Sequence, residues 1–392
     1  MNLTRRTFIA TVAAAPLAGR LDGASRPRIK VIGAGAFGGW TALHLLNAGA
    51  QVTLVDAWGP GNTRASSGGE TRVIRAIYGP DRVYVEMVKR AYELWEKLDP
   101  SLYTETGALW MHRGDDAYVR SSLPILNELG FIVDHLTIDD AARRYPQINF
   151  NGVKSVWLER RAGALQARRA CGVVRDAFVQ AGGTYRTEAV NPASQSDADI
   201  YVYACGPWLG KLFPDVIGNG VHPTRQEVYY FGPPRGSDRY RPPQMPIWID
   251  FGKRIVYGIP DIHGRGFKLA DDTRGETIDP TTANRTATAE GVARARQLLS
   301  ERFPELAKAP LIASEVCQYE NSPDGNLILD RHPHKNNVWL LGGGSGHGFK
   351  LSPAFGEMAA GAILNAREIP PAFRIDRLKK PEKTETQFER KQ

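Results

Sequence analysis

The chain has 392 residues, with 50 Lys+Arg against 42 Asp+Glu, 42% hydrophobic and 9% aromatic residues. That length supports a sizeable core and about two domains, and the balance excludes wholesale disorder, a collagen-like repeat and a bundle of membrane helices. The formal charge of +8 resides at the two ends: residues 1–30 carry +5 and residues 374–392 carry +3, so the body between them is neutral and demands no basic nucleic-acid stripe.

Thr4-Arg5-Arg6-Thr7-Phe8-Ile9, followed by the Ala-rich apolar run from Ala10 to Ala18, reads as a twin-arginine export signal, with residues 1–27 as signal and linker. The run is well short of the roughly 20 apolar residues that span a bilayer. Export to a bacterial periplasm without a stable membrane anchor is therefore expected. Arg28 to Ile32 is a β-branched run, Gly33-Ala34-Gly35-Ala36-Phe37-Gly38 follows it, and Trp40 to Asn47 is helical and closed by Gly49. Gln51 to Val55 is a second strand ending at Asp56. Strand, G-x-G-x-x-G, helix, strand and acid stand in the order and spacing of a dinucleotide-binding unit. Gly33 allows the tight turn, Gly35 lets the backbone approach a pyrophosphate, Gly38 permits close helix packing, and Asp56 can accept from a ribose. The unit alone does not separate FAD from NAD.

Val83 to Leu98 reads as an amphipathic helix burying Tyr84, Met87, Val88, Ala91, Leu94, Trp95 and Leu98. Strands are expected at Thr106 to His112, Tyr229 to Phe231, Trp248 to Phe251 and Arg254 to Ile259, and a helix at Ala289 to Phe303. Ala198 to Gly206 and Val338 to Gly348 are two further strand-to-glycine junctions, which imply one sheet assembled from separated segments around a large cofactor. Ser352 as cap and Pro353 as first-turn residue predict the start of a last helix running to Leu364. The charged stretch from Arg374 is expected to be a solvated extension. Cys171, Cys205 and Cys317 are too few and too scattered for a disulfide framework or a metal pair, and Cys171 and Cys205 read as core residues.

Ser66-Ser67-Gly68-Gly69-Glu70-Thr71-Arg72-Val73-Ile74-Arg75 resembles the block after the nucleotide unit in monomeric sarcosine oxidases and N-methyltryptophan oxidases, of the D-amino-acid oxidase superfamily. Three more blocks match in order: Tyr257-Gly258-Ile259-Pro260 with Gly266-Phe267-Lys268, then Cys317-Gln318-Tyr319, then Asp330-Arg331-His332-Pro333 through Gly346-His347-Gly348-Phe349-Lys350. The likeness covers about Arg28 to Leu364, and four ordered blocks are far more specific than one. It implies an α/β (α+β) fold: a discontinuous Rossmann-like FAD-binding domain (28–105, 150–222 and 325–373) interleaved with an antiparallel-sheet substrate domain (106–149 and 223–324), with 374–392 as the tail.

The resemblance also implies FAD, attached through a thioether at Cys317, and oxidation of the C–N bond of a secondary amine or N-substituted amino acid to an imine, with oxygen reduced to peroxide. It places the cofactor against Phe37, Ser66, Ser67, Gly206, Trp208 and the Gly346-His347-Gly348-Phe349 turn, where His347 could equally serve the backbone. Lys268 matches the oxygen-activating lysine, Arg72 the arginine beside the flavin ring, and Tyr257 and Tyr319 the substrate side. Arg75 and Lys350 match residues that grip a substrate carboxylate, by a bidentate fork and as a point charge. Two positions depart from the family: Gly68 and Asp272 stand where histidines are usual, and Asp272 could repel an acidic substrate or recognise a second amine or a hydroxyl, which counts against sarcosine itself. The expected partners are a small-molecule amine and oxygen, not nucleic acid, for a monomer or small homo-oligomer. A flavin dehydrogenase using a quinone or protein acceptor is the alternative.

Overall fold

The computed structural model describes residues 26–194, 196–379 and 386–388. The twin-arginine motif lies outside the described residues. A six-stranded sheet runs in the order Ile328–Arg331, Val338–Gly342, Ile200–Tyr203, Arg28–Ile32, Gln51–Asp56 and Thr184–Thr187, parallel throughout except for the first strand. Its inner strands are near-continuous apolar runs, as strands covered on both faces must be. The helices Ala36–Asn47 and Gly348–Asn365 cross so closely that a Cβ on Gly356 would stand 2.8 Å from the backbone of Trp40 and Thr41.

An eight-stranded sheet forms the second layer system, in the order Leu311–Asn321, His222–Phe231, Phe267–Asp271, Ile255–Ile259, Ile247–Phe251, Ala108–His112, Ser155–Glu159 and Val133–Leu136. All its pairings are antiparallel except that of Ile247–Phe251 with Ala108–His112. Ser155–Glu159, which the sequence boundary at 150 assigns to the nucleotide side, belongs to this sheet, because its register with Ala108–His112 buries Trp157 opposite Trp110. A small sheet of Thr71–Ile74, Gly163–Gln166 and Tyr103–Glu105 lies between the two and carries Arg72.

Helix Arg82–Leu98 buries Tyr84, Met87, Val88, Ala91, Leu94 and Trp95 of the stripe expected from its spacing, while Leu98 at its end is half-buried. The last helix differs from expectation: it starts at Gly348, and Pro353 lies inside it. Pro353 has no N–H for the Phe349 carbonyl, and the Ser352 hydroxyl donates to that oxygen instead at 2.7 Å. The tail also departs from a purely solvated extension. Ile375 and Leu378 are buried against the six-stranded sheet, and Phe388 packs on the main core. No helix among the described residues is long and apolar enough to cross a membrane.

Candidate active site

The carboxyl ends of the parallel strands line one cavity of about 310 Å³, within the size range of small-molecule and cofactor pockets. Gly33 follows the first strand with φ +104°, and a Cβ there would meet the Ala204 carbonyl oxygen at 2.3 Å, so only glycine closes this turn. Gly38 lies one helical turn on, facing Gly33, and a Cβ on it would meet the Gly33 oxygen at 1.8 Å. Helix Ala36–Asn47 has no side-chain cap, which leaves its first-turn N–H groups directed at the cavity. Asp56 accepts from the backbone N–H of Ala34 at 2.7 Å and from Trp58 and Gly59 at 2.8 Å each, so its carboxylate shapes the loop as well as lining the cavity.

Phe37, Ser66, Ser67, Gly206, Trp208, Gly346, Gly348 and Phe349 line the same cavity. Two buried polar atoms at its wall, Ser66 Oγ and Gln318 Oε1, have no partner among the described residues. An uncapped helix N-terminus, a Gly-only turn and unpaired polar atoms together fit a dinucleotide such as FAD.

A second cavity, about 60 Å³, adjoins the first and shares Arg72, Tyr319, Gly346 and Phe349 with it. Tyr257, Ala270 and Val228 stand in register on three neighbouring strands and form one wall. Arg75 is buried there between the rings of Tyr78 and Trp110, with its guanidinium carbon 4.7 and 5.1 Å from their centroids. Lys350 donates to Tyr78 Oη at 3.0 Å and to the His347 carbonyl at 2.9 Å. Among the described residues no carboxylate comes within ion-pairing distance of Arg75 or Lys350. Burial, followed by the Arg75 charge, holds the Lys350 ammonium well below its ordinary value. Asp272 accepts from Tyr319 Oη at 2.6 Å, and burial pushes its carboxyl up to about 6, against the pull of that hydrogen bond and of Arg75 and Lys350. The chamber thus sets Arg72, Arg75 and Lys350 against the carboxyls of Asp271 and Asp272, of which Asp271 pairs with Arg254.

Arg72 occupies the junction. Its guanidinium donates to Thr71 O at 2.8 Å, Ser66 O at 2.7 Å and Cys317 Sγ at 3.1 Å. Burial opposes its charge, but Cys317, Tyr257, Tyr230 and Tyr319 around it hold the group above its ordinary value. Cys317 lines the second cavity, with its sulfur 3.5 Å from Ser66 O. Lys268 is 1% exposed and lines neither cavity; its Nζ donates to Thr71 O at 2.8 Å and lies 5.9 Å from the Tyr257 ring centroid. Burial, then Arg72, pulls its pKa down to about 7.

His347 faces the second cavity rather than the first: its ring spans the backbone oxygen of Gly325 at 2.8 Å and the side-chain Oη of Tyr78 at 3.2 Å. Cys205, read as a core residue, lines the cofactor cavity because the strand Ile200–Tyr203 ends there, whereas Cys171 is buried in helix Ala167–Gln180. Gly68 has a backbone reason: a Cβ would meet the Asn62 carbonyl oxygen at 2.0 Å, so this loop has no room for a histidine. Sequence reasoning missed Tyr78 and Glu320. Glu320 lines the cofactor cavity and accepts from Gly343 N at 2.9 Å, and burial pushes it up to about 8. The signal was its place in the strand that carries Cys317 and Tyr319, three residues from Cys317.

The sequence profile of the family described as FAD dependent oxidoreductase matches residues 28–362. A monomeric sarcosine oxidase from Bacillus sp. (strain B-0618) is 30% identical over 363 residues, 86% of this chain and 92% of the relative. An N-methyl-L-tryptophan oxidase from Salmonella arizonae is 28% identical over 370 residues, 88% of this chain and 95% of its own. Among solved structures, the L-proline dehydrogenase of P. horikoshii superposes with a TM-score of 0.77 at 21% identity, covering 91% of this chain and 98% of that one, a likeness of fold.

Proposed function

The chain belongs to the sarcosine oxidase-like branch of the FAD dependent oxidoreductases and oxidises amines, and from that premise we propose that its substrate is a secondary amine bearing a carboxylate, with oxygen as electron acceptor and hydrogen peroxide as product. The observation that carries this reading is the buried pair Arg75 and Lys350, neither within ion-pairing distance of a carboxylate among the described residues, in a chamber that adjoins the nucleotide cavity. Bound FAD supplies the two-electron acceptor for the carbon beside the amine. Arg75 holds the substrate carboxylate as a fork, and Lys350 adds a second donor beside it. Asp272 and Tyr319 face the same chamber and bind the substrate's remaining polar group, with the Asp272 carboxyl able to hold or release a proton near pH 6. Arg72 keeps a fixed positive charge where the two cavities meet. Cys317, beside Arg72 on the wall of the second cavity, would carry the flavin through its sulfur.

A panel of N-methyl, cyclic and sugar-linked amino acids in an oxygen electrode tests the reaction. Oxygen uptake with the carboxylate-bearing members, and not with their decarboxylated counterparts, is the expected result. The dehydrogenase alternative draws on one observation: Lys268 lines neither cavity, and its cation is half lost at neutral pH. Rapid dye reduction by substrate without oxygen uptake would decide for it. For Cys317, acid precipitation of flavin-replete enzyme should leave the yellow colour in the pellet, and colour left in solution refutes the thioether.

A further inference from the structure

Glu320 brings a carboxyl to the nucleotide cavity at a place where a negative charge has no counter-ion. The residue is 5% exposed and lies two positions beyond Gln318 on the strand Leu311–Asn321, so both side chains reach the same cavity. Its Oε1 accepts from Gly343 N at 2.9 Å, and its carbonyl accepts from Ser345 N at 2.9 Å. Gly342 makes room for it: a Cβ there would stand 2.2 Å from Oε1. The other oxygen, Oε2, lies 3.8 Å from where a Cβ would stand on Gly206 and on Gly344, and the Phe37 ring lies as close to the latter. Gly206, Gly344, Phe37 and Glu320 all line the cavity, so Oε2 faces it between two glycines.

No lysine, arginine or histidine among the described residues lies within ion-pairing distance of this carboxyl. The groups around it supply no positive charge. Cys205, after the strand Ile200–Tyr203, faces it with Asp56 beyond, and burial, Asp56 and Glu320 all hold that thiol above its ordinary value. The strand His222–Phe231 sets Pro223 opposite, and the first turn of helix Ala36–Asn47 has no ionisable side chain. His347 is directed to Gly325 and Tyr78, and Arg72 to Thr71, Ser66 and Cys317. Burial pushes Glu320 up to about 8, against the pull of the Gly343 and Gly344 N–H groups. A diphosphate in the same cavity favours the neutral form further. A neutral carboxyl has one O–H to donate, and with Oε1 accepting from Gly343 the proton belongs on Oε2.

We propose that Glu320 binds the nucleotide as a carboxylic acid and donates through Oε2 to an oxygen of the ribityl diphosphate chain of FAD. The assignment concerns the cofactor and holds whichever amine and electron acceptor the enzyme uses. Its consequence is a linkage between pH and cofactor affinity. The acid form binds and the carboxylate repels, so affinity is fully present below about pH 8 and falls as pH rises through it. Between pH 7 and pH 9 the loss is about tenfold.

The test starts from the flavin-loaded full chain carrying Cys317→Ser, so that flavin exchanges freely. The FAD dissociation constant is read from the fluorescence of released flavin on dilution between pH 7 and pH 9, and that of ADP from its displacement of FAD. With Glu320 present, FAD should bind about tenfold more weakly at pH 9 than at pH 7. Glu320→Gln should match it within about threefold at pH 7 and lack that tenfold loss, because the amide nitrogen takes the place of Oε2 and does not titrate. Any slope contributed by the buried lysines is common to both and cancels. Glu320→Ala should bind about tenfold more weakly at pH 7. ADP, which lacks the ribityl chain and the ring, locates the acceptor: a tenfold loss shared by ADP assigns the diphosphate, and one confined to FAD assigns the ribityl chain. The same pH dependence with Glu320 and with Glu320→Gln overturns the proposal. Affinity at pH 7 that is equal or higher with Glu320→Ala overturns it as well, because the carboxyl would then give the nucleotide no hydrogen bond.

Discussion

Arg75 shows how much of a site resides in what a residue lacks. Its guanidinium is buried, ringed by aromatic faces and without a carboxylate partner among the described residues, so an anionic ligand gains a charge-assisted fork that water has already left. Arg75→Ala should raise the apparent KM for a carboxylate substrate by about 10- to 100-fold, and Arg75→Lys should recover only part of that, in steady-state assays. Lys268 makes a different prediction. Burial and the neighbouring Arg72 bring its pKa to about 7, so its cation is present below that pH and lost above it. If this charge stabilises reduced oxygen, reoxidation of pre-reduced enzyme slows as pH rises through about 7. Lys268→Met should then cut the rate by about 10²–10³ and flatten the pH profile. Both lysine and arginine were legible through their motifs. The rings around Arg75 were not: Trp110 reaches it only because the strand Ala108–His112 passes behind it, and Tyr78 only because the chain turns back within three residues.

At the scale of elements, local signals located segments well and boundaries less well. The glycine turn after Arg28–Ile32 was readable because only Gly fits a positive φ facing the Ala204 carbonyl. The last helix was misplaced at its start because Ser352-Pro353 has the chemistry of a helix beginning, yet here Ser352 bonds the carbonyl that Pro353 leaves open and the helix runs through. The same helix packs on Ala36–Asn47 at Gly356, where a Cβ would stand 2.8 Å from main-chain atoms that cannot step aside. Gly356→Val should cost about 1–3 kcal/mol or more by overpacking. Thermal melts would show it, and a melting temperature equal to the parent's would mean that the helices separate more easily than their contact implies.

For the whole molecule, buried polar groups tie the eight-stranded sheet to its covering helix as well as apolar packing does. Asp250 of the eight-stranded sheet accepts from Arg302 at 2.6 Å, at the end of helix Ala289–Arg302, and from Arg113 at 2.7 Å. Burial opposes the Asp250 charge, but Arg113 and Arg302 hold its pKa below the ordinary carboxylate value. A depressed folded pKa means stability that is present above the unfolded value and lost as pH falls through the folded one. Asp250→Asn should leave the Arg302 charge without its counter-ion, cost about 3–5 kcal/mol and reduce the loss of stability on acidification, measured by denaturant unfolding at several pH values. The C-terminal segment belongs to this scale too. Its composition reads as solvated, and only the folded chamber offers Phe388 a cation and two rings to pack on.

By itself, the sequence determined the nucleotide-binding unit, the family and the identity of the cations, because each is encoded by neighbouring residues whose spacing has a direct steric or chemical meaning. Tertiary structure alone decided which of those cations share a chamber, that Asp272 meets Tyr319, that Gly68 has no room for a side chain and that the chain end returns to the site. Those outcomes depend on contacts between segments tens to hundreds of residues apart, where burial sets both the charge a group can keep and the partner it can reach.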